Sequence, residues 1–266
     1  MKTILLLVHD DEGQEARIQA ALDVTRAIDG HLKCLDVAAV PIFVGDFYSG
    51  AGEAMLLAEE RQHEGENRTR VEARLAHEDV RWDWTDVTGA IGPELEEAST
   101  LADLIVINRS LDFPLPDMRG IAGDLLTRSG KPILAVPQES RGFDPFGHVL
   151  VCWDGSACAT AAMRAAVPLL KLARVVTVFE IGEDGVPTSV EDAAEYLSRH
   201  DIHAVTERRR WRTKHKAEVI LEQIQQERAD YVVMGGFNHL RLREALFGGV
   251  TRTMLGTSPV PIFMAH

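Results

Sequence analysis

The chain has 266 residues, and its 45% hydrophobic content is sufficient for the cores of one or two globular domains. Its formal net charge of −13 argues against unspecific binding to nucleic acid, because the phosphate backbone attracts basic surfaces. The three cysteines, Cys34, Cys152 and Cys158, lack the spacing of a metal site, so we expect a cytoplasmic protein with reduced thiols.

The amino-terminal apolar run is predicted to be the first strand of a sheet. Residues 3–8 lead directly into an acidic segment after His9, without the small-residue cleavage site of a signal peptide. Ile18 and Leu22 then recur at the spacing of a helix that packs on a sheet. No segment approaches the ~18 consecutive apolar residues of a membrane span, so no membrane partner is expected.

The middle of the first half contains a long charged stretch. Residues 53–78 are acidic and rich in glutamate, which predicts a long helix that faces solvent. The preceding glycines, Gly50 and Gly52, have no strand-to-helix context and are interpreted as a turn. Pro93 suits the first turn of a further helix that runs to Ala102.

Two segments of the first half recur in the second half. Residues 102–107 match residues 229–234, and residues 131–134 match residues 260–263. Because the matches are in the same order, the chain is interpreted as a tandem duplication.

The duplication predicts domains at 1–137 and 148–266, joined by a linker at 138–147 with glycine, proline and mixed charge. In the second half, apolar residues recur at helical spacing in two segments, at Met163, Ala166, Val167 and Leu170 and at Ala217, Ile220, Leu221 and Ile224. Continuous apolar strands that alternate with such helices predict two α/β domains in tandem, each a doubly wound, Rossmann-like parallel sheet. A ligand is then expected at the carboxyl ends of the strands.

A basic cluster at residues 208–216 stands out in this acidic chain. One interpretation is a surface for phosphate or for an acidic partner. The other is that strand alternation spreads these side chains over a solvated face, with their stems covering apolar neighbours. We favour the solvated face.

The sequence contains no catalytic or metal motif. Its histidines are scattered, paired metal-ligand spacing is absent, and no serine or cysteine lies in a nucleophile-elbow motif. Cys158 falls near the start of a predicted helix, where a thiolate is favoured, but its simpler interpretation is a packed small residue. We therefore expect no catalytic residues and no metal ligands.

The segment 229–263 reads as a buried strand, a glycine-bearing loop, a helix and another strand. Within it, Gly235 is followed after two residues by Asn238, and after nine more by Gly248 and Gly249. This pattern resembles the carboxy-terminal signature of the universal stress protein A family. Nucleotide binders of that family carry a second glycine where this chain has Asn238, and a serine or threonine where it has Gly249.

The resemblance implies five parallel strands per half and an adenine-nucleotide site in the second half. It assigns the nucleoside contact to Asp154, the adjoining turn to Gly155 and the contact with adenine to Ile181. The residues that would face the phosphates are Gly235, Gly236, Asn238, Gly248, Gly249, Val250 and Thr251. A glycine loop before a helix suits phosphate because the first helix amides are unpaired and the backbone can approach closely.

The two departures from the family pattern are expected to weaken nucleotide binding without abolishing it. Asn238 tolerates a positive φ better than most residues. At Gly249 one hydroxyl is lost, and a neutral hydrogen bond is worth only about 0.5–1.5 kcal/mol net.

The first half lacks these features. After Ile107 it has prolines, which remove amide donors, and Asp112 and Asp117, which would repel phosphate. We expect at most one nucleotide per chain and a structural or regulatory role for this half. In the family, domains pair through their last strands, so residues 132–136 and 261–265 are expected to pair within the chain; a homodimer is left open.

These inferences predict a cytoplasmic stress-response regulator whose second half binds ATP, with Mg²⁺, as a ligand that is not essential. Its protein partners and its stress signal are not specified by the sequence. Two other hypotheses remain, namely a nucleotide-free interaction scaffold of the same fold and a slow ATP hydrolase that uses Mg²⁺ near Asp154.

Overall fold

The computed structural model describes residues 1–39, 50–109, 118–182, 188–209, 215–236 and 249–266. Across these ranges, the helices are all too short or too polar to cross a membrane.

The first half alternates strands and helices along the chain. Its elements are β1 (Thr3–Val8), α1 (Gln14–Ala27), β2 (His31–Ala39), α2 (Gly50–Leu75), β3 (Arg81–Gly89), α3 (Ile91–Ala98), β4 (Leu104–Asn108), α4 (Met118–Asp124) and β5 (Ile133–Val136). Short turns of 3₁₀ and π helix follow α3 and α4, at Ser99–Leu101 and Leu125–Ser129.

The second half repeats this alternation. Its elements are β6 (His148–Trp153), α5 (Ala157–Leu170), β7 (Val175–Ile181), α6 (Val190–Ser198), β8 (Ala204–Arg209), α7 (Lys216–Glu227), β9 (Tyr231–Gly235), α8 (Gly249–Thr257) and β10 (Ile262–Ala265).

All of these strands lie in one ten-stranded sheet, in the order β3-β2-β1-β4-β5-β10-β9-β6-β7-β8. Neighbours within each half are parallel, and the strand order is the same in both halves when read from the outer edge inward. The predicted α/β fold with doubly wound sheets is confirmed, with five strands in each half.

The two half-sheets join through β5 and β10, which pair antiparallel. Phe263 lies opposite Leu134, and Met264 lies opposite Ile133. Both strands are buried along their whole length. These are the strands that the sequence analysis expected to pair, and together they make the two halves one continuous sheet.

Helices cover both faces of the sheet. On one face the alternate β1 residues Ile4 and Leu6 share a core with α1, α2, α5 and α6. On the other face Leu5 and Leu7 share a core with α3, α4, α7 and α8. The central strands are apolar on both faces, which explains why they read as continuous hydrophobic runs in the sequence.

The linker between the halves packs against both of them. The backbone N–H of Phe143 donates to Asp23 of α1 at 3.0 Å. The Phe143 ring also packs on Tyr231 of β9, with 4.6 Å between ring centroids. The connection is therefore part of the core at the junction.

The repeated Ala-Asp pair has a structural role in each half. Asp103 precedes β4, and its carboxylate accepts the N–H groups of Lys2 and Thr3 at 2.6 and 2.9 Å. Asp230 precedes β9 and accepts the N–H of His148 at 2.6 Å. In both halves this carboxylate ties the start of the fourth strand to the start of the first.

The prediction for residues 53–78 was wrong on one face of the helix. Helix α2 is long, as predicted, but Val71 and Leu75 pack into the core and Glu64 and Asn67 are buried. This buried face could not be recognised from the sequence, because it combines apolar residues with polar ones in a segment rich in charged residues. The next helix, α3, ends at Ala98 rather than Ala102.

Candidate functional site

The second half contains a cleft at the carboxyl ends of β6, β7 and β9. Its volume is about 290 Å³, close to the lower end of the roughly 300–1,000 Å³ typical of ligand pockets. The residues that line it are Cys152, Trp153, Asp154, Ser156, Cys158, Ala159, Phe179, Ile181, Lys216, Ile220, Met234, Gly235, Gly249, Val250 and Thr251. The position is the one expected for a doubly wound sheet.

The turn from β6 into α5 forms one wall of the cleft. The exposed carboxylate of Asp154 accepts the N–H of Ser156 at 3.0 Å, which closes the turn. Gly155 has φ +68°, a value that favours glycine because residues with Cβ atoms adopt it at a cost. The Ser156 hydroxyl then caps α5 by accepting the N–H of Ala159 at 3.1 Å. Asp154 thus lies at the rim, with one oxygen held by the turn.

The apolar wall of the cleft comes from strand ends and from α7. Ile181 ends β7, and Phe179 and Met234 are buried beside it, while Ile220 approaches from α7. Phe179 and Met234 were not among the predicted site residues. Their position near a strand end is the signal that could have identified them.

Gly235 allows the closest backbone approach in the cleft. A Cβ atom on this residue would lie 2.6 Å from the Ala159 nitrogen and 2.7 Å from the Cys158 carbonyl carbon. Such contacts are too short for any other residue, so Gly235 is required for β9 to pack against the start of α5.

Gly236, which was also predicted to face phosphate, does not line the cleft. Its N–H donates to the Ala265 carbonyl at 2.9 Å. A Cβ atom here would lie 2.9 Å from Leu126 of the first half. Gly236 therefore belongs to the junction between the halves.

The first turn of α8 closes the cleft on the side where the sequence analysis expected the phosphates of a nucleotide. Gly249, Val250 and Thr251 all line the cleft. The first amides of a helix have no partner within that helix, so this turn presents donors and a partial positive charge. The other two predicted loop residues, Asn238 and Gly248, lie outside the described residues.

The basic cluster divides into two parts. Arg208 binds Glu180 at 3.4 Å and also pairs with Glu191, and Arg209 donates to Gln226 at 2.7 Å, as the solvated-face interpretation expects. Lys216, by contrast, begins α7 and lines the cleft. Residues 210–214 lie outside the described residues.

The two cysteines of the cleft are neutral thiols. Burial, with the nearby carboxylate of Asp154, raises the pKa of Cys152 to about 12. The same two causes raise the pKa of Cys158, whose Sγ lies 3.4 Å from His266 Nδ1. The helix start therefore does not produce a thiolate at Cys158, in agreement with its interpretation as a packed residue.

The corresponding edge of the first half is filled by polar side chains. Asn108 ends β4 at the position where Gly235 ends β9, and its amide oxygen accepts a hydrogen bond from Arg17. The fully buried Arg17 also donates to the carbonyls of Leu7 and His9, at 2.6 and 3.0 Å. Where the second half has Gly235, the first half therefore has the side chain of Asn108, which is held by Arg17.

Comparison with known proteins identifies the same family as the sequence pattern. Residues 145–266 match the model of the universal stress protein family. No curated protein sequence matches the chain.

Solved structures match the chain over almost its whole length. A universal stress protein from Archaeoglobus fulgidus DSM 4304 is 17% identical with a TM-score of 0.77, and the match covers 99% of this chain and 97% of that one. A candidate universal stress protein from Pseudomonas aeruginosa UCBPP-PA14 is 13% identical with a TM-score of 0.61, covering 100% and 93%. At these identities the likeness shows the fold, whereas the family model matches the second half by sequence. Residues 145–266 therefore match the universal stress protein family by sequence, and the first half of the chain has the same strand order.

Proposed function

We propose that the protein is a cytoplasmic stress-response regulator whose second half binds one adenine nucleotide, ATP, in the cleft between β6, β7, β9 and α8. The observation that carries this proposal is the convergence of Asp154, Ile181, Gly235 and the first turn of α8 on a single cleft. These groups come from separate segments of the chain, and each suits a different part of a nucleotide.

The chemistry of the lining fits such a ligand from its base to its phosphates. Ile181 and its apolar neighbours offer a surface for a flat base. The exposed carboxylate of Asp154 can accept hydrogen bonds from ribose hydroxyls. The amides of α8 and the ammonium group of Lys216 suit phosphate, and Mg²⁺ bound with ATP would neutralise further phosphate charge.

The size of the cleft also bears on the mode of binding. A nucleotide would fill a volume of about 290 Å³ and extend beyond it, past α8. Gly249 suits this path because a Cβ atom at this position would meet no atom within 4 Å. The loss of the family's hydroxyl at Gly249 removes one donor but leaves the amide.

The alternative is an interaction scaffold in which the cleft has no ligand. The other alternative is a slow ATP hydrolase that uses Mg²⁺ near Asp154, whose exposed carboxylate lies at the rim of the cleft.

Binding of ATP to the full chain, measured by isothermal titration calorimetry with Mg²⁺ present, tests the proposal. Gly249→Asp should lower the affinity by at least about tenfold, because it places a carboxylate beside the phosphates. An aspartate in the first turn of a helix favours folding, so this variant should remain stable.

Gly120→Asp is the matched control. Gly120 also lies in the first turn of a helix, α4, and a Cβ atom there would meet no atom within 4 Å. It should leave ATP binding unchanged. No binding to the wild type would favour the scaffold, and equal loss in the two variants would contradict a single site in the second half. Formation of ADP over time would instead support the hydrolase.

A further inference from the structure

The first half contains a buried cluster of ionisable side chains at the carboxyl end of β1. His9 follows β1, Asp36 lies on β2 and Glu64 lies on α2. These residues are only 6%, 3% and 3% exposed. Buried charges are costly unless they are paired or bind a metal ion, so the cluster calls for a physical explanation.

Three of the side chains converge on one point. A ligating atom from each of His9, Glu60 and Glu64 lies within 4.8 Å of the other two. The closest approach is 2.6 Å, between His9 Nδ1 and Glu64 Oε1. Glu60 lies one helical turn before Glu64 on α2 and is only half-buried, which leaves a route from solvent.

Two polar atoms of the cluster have no well-aligned hydrogen-bond partner in the described part of the chain. One is His9 Nδ1, whose short contact with Glu64 lacks hydrogen-bond geometry, and the other is Asp36 Oδ1. Buried polar atoms are nearly always hydrogen-bonded, so the poor alignment at His9 Nδ1 leaves this nitrogen able to take another partner.

A further layer of hydrogen bonds holds Glu64 in place. Asn67 Nδ2 donates to Glu64 Oε2 at 3.1 Å, and Gln14 Nε2 donates to Asn67 Oδ1 at 2.7 Å. The N–H of Asp10 also approaches Glu64 Oε1, at 3.4 Å. Supporting bonds of this kind are typical of ligands that are fixed before a metal binds.

The local charges leave a divalent positive charge to be supplied. Arg17 is the nearest buried cation, and its guanidinium is paired with Asp11 at 2.8 Å. Once the proton on His9 has left, Glu60 and Glu64 contribute two negative charges and the neutral imidazole contributes none. One divalent cation would neutralise the three ligands together.

We propose that His9, Glu60 and Glu64 bind one first-row divalent cation, with Zn²⁺ as the best match to one imidazole and two carboxylates. Ca²⁺ and Mg²⁺ prefer oxygen ligands alone, whereas Zn²⁺ is commonly bound by this mixture. Solvent would complete the coordination on the side of Glu60. The site lies in the first half and is separate from the nucleotide cleft.

A proton on His9 Nδ1 would compete with the cation for this nitrogen. The Glu64 carboxylate lies 2.6 Å from His9 Nδ1 and favours a proton on this nitrogen. A cation that binds Nδ1 must therefore displace this proton to solvent.

Calorimetric titration of the EDTA-treated full chain with ZnCl₂ tests the proposal. The wild type should bind one equivalent. Glu60→Gln should weaken binding by at least about tenfold, since the loss of even an indirect partner of a metal site costs about 10–100-fold. Glu60 is half-buried, so this variant should fold normally. Glu59→Gln removes the same charge from the adjacent, exposed position and should bind as the wild type does.

The visible spectrum of the Co²⁺-loaded protein supplies a second readout. Its ligand-field bands should change in His9→Gln, with circular dichroism as the check on folding. The proposal is wrong if the wild type binds no Zn²⁺, or if Glu60→Gln binds it as tightly as the wild type. Loss of binding in Cys158→Ser, but not in Glu60→Gln, would place the ion between Cys158 and His266 and would equally overturn it.

Discussion

The second strand of each half carries a buried carboxylate at the same register position. Asp36 pairs with Val8 at the end of β1, and Glu180 pairs with Trp153 at the end of β6. The halves differ in the residue across the next strand, which is Asp86 in the first half and Arg208 in the second.

This difference contributes to two electrostatic environments at equivalent backbone positions. In the second half, Arg208 forms an ion pair with Glu180 at 3.4 Å. In the first half, burial, Glu64 and then Asp86 raise the pKa of Asp36 to about 8. The fold therefore supplies the positions of the two strand-end acids, and their neighbours decide whether the carboxylate pairs with an arginine or keeps its proton to a higher pH.

Among experiments that compare the two halves, producing them as separate chains should have the largest effect. Residues 1–137 and 148–266 made as separate chains would expose β5 and β10, two strands that are buried along their whole length. We expect each chain alone to be poorly soluble and the two to copurify when coexpressed. Size-exclusion chromatography provides the measurement. Two soluble monomers that elute separately and do not associate would contradict this expectation.

The turns after β1 and β6 offer a matched pair of substitutions. Asp11 accepts the N–H of Gly13 at 2.7 Å, as Asp154 accepts the N–H of Ser156, but only Asp11 also pairs with a buried arginine, Arg17. Asp11→Ala leaves that charge without its carboxylate and should cost about 3–5 kcal/mol in the free energy of unfolding.

Asp154→Ala should cost less than about 1 kcal/mol, because it removes one exposed hydrogen bond. Urea unfolding of both variants gives the two values. Equal losses of unfolding free energy in the two variants would show that the buried Asp11–Arg17 pair does not dominate the stability of the turn after β1.

Substitution of Asp103, the carboxylate that precedes β4, should have the smallest effect on stability. Burial would raise the pKa of Asp103, but the N–H groups of Thr3 and Lys2 bind the ionised form and the net pKa is lowered. Its contribution to stability is therefore complete above the unfolded value of about 3.9 and is lost as the pH falls through the folded pKa.

Asp103→Asn should be less stable than the wild type at pH 6, and this difference should shrink below about pH 4. Urea unfolding at pH 6 and pH 3 measures it. A difference that stays constant between the two pH values would mean that Asp103 acts only through uncharged hydrogen bonds.

The sequence predicted the fold well because local patterns determine it. Residues 102–107 and 229–234 are short apolar runs typical of buried strands, and their repetition indicated two halves. In the second half, the family resemblance assigned Asp154, Ile181 and Gly235 to the site, and the structure shows that all three follow or end strands and line one cleft.

The first-half cluster could not be predicted in the same way. His9 and Glu64 are far apart in the sequence, and Glu64 lies among many glutamates that face solvent. Its burial depends on how α2 lies across β1 and β2, and this is a tertiary property. Gly236 was misplaced for a related reason, since its contact with Leu126 depends on how the halves meet.

The antiparallel junction of β5 and β10 also sets where the two candidate sites lie on the molecule. Since strands run in opposite directions on its two sides, the carboxyl ends of the two half-sheets point to opposite ends of the sheet. The cleft of the second half and the His9 cluster of the first half consequently face away from each other, and no small ligand could bridge them. The covalent link between the halves thus places two unlike strand-end sites on one polypeptide, at opposite ends of one sheet.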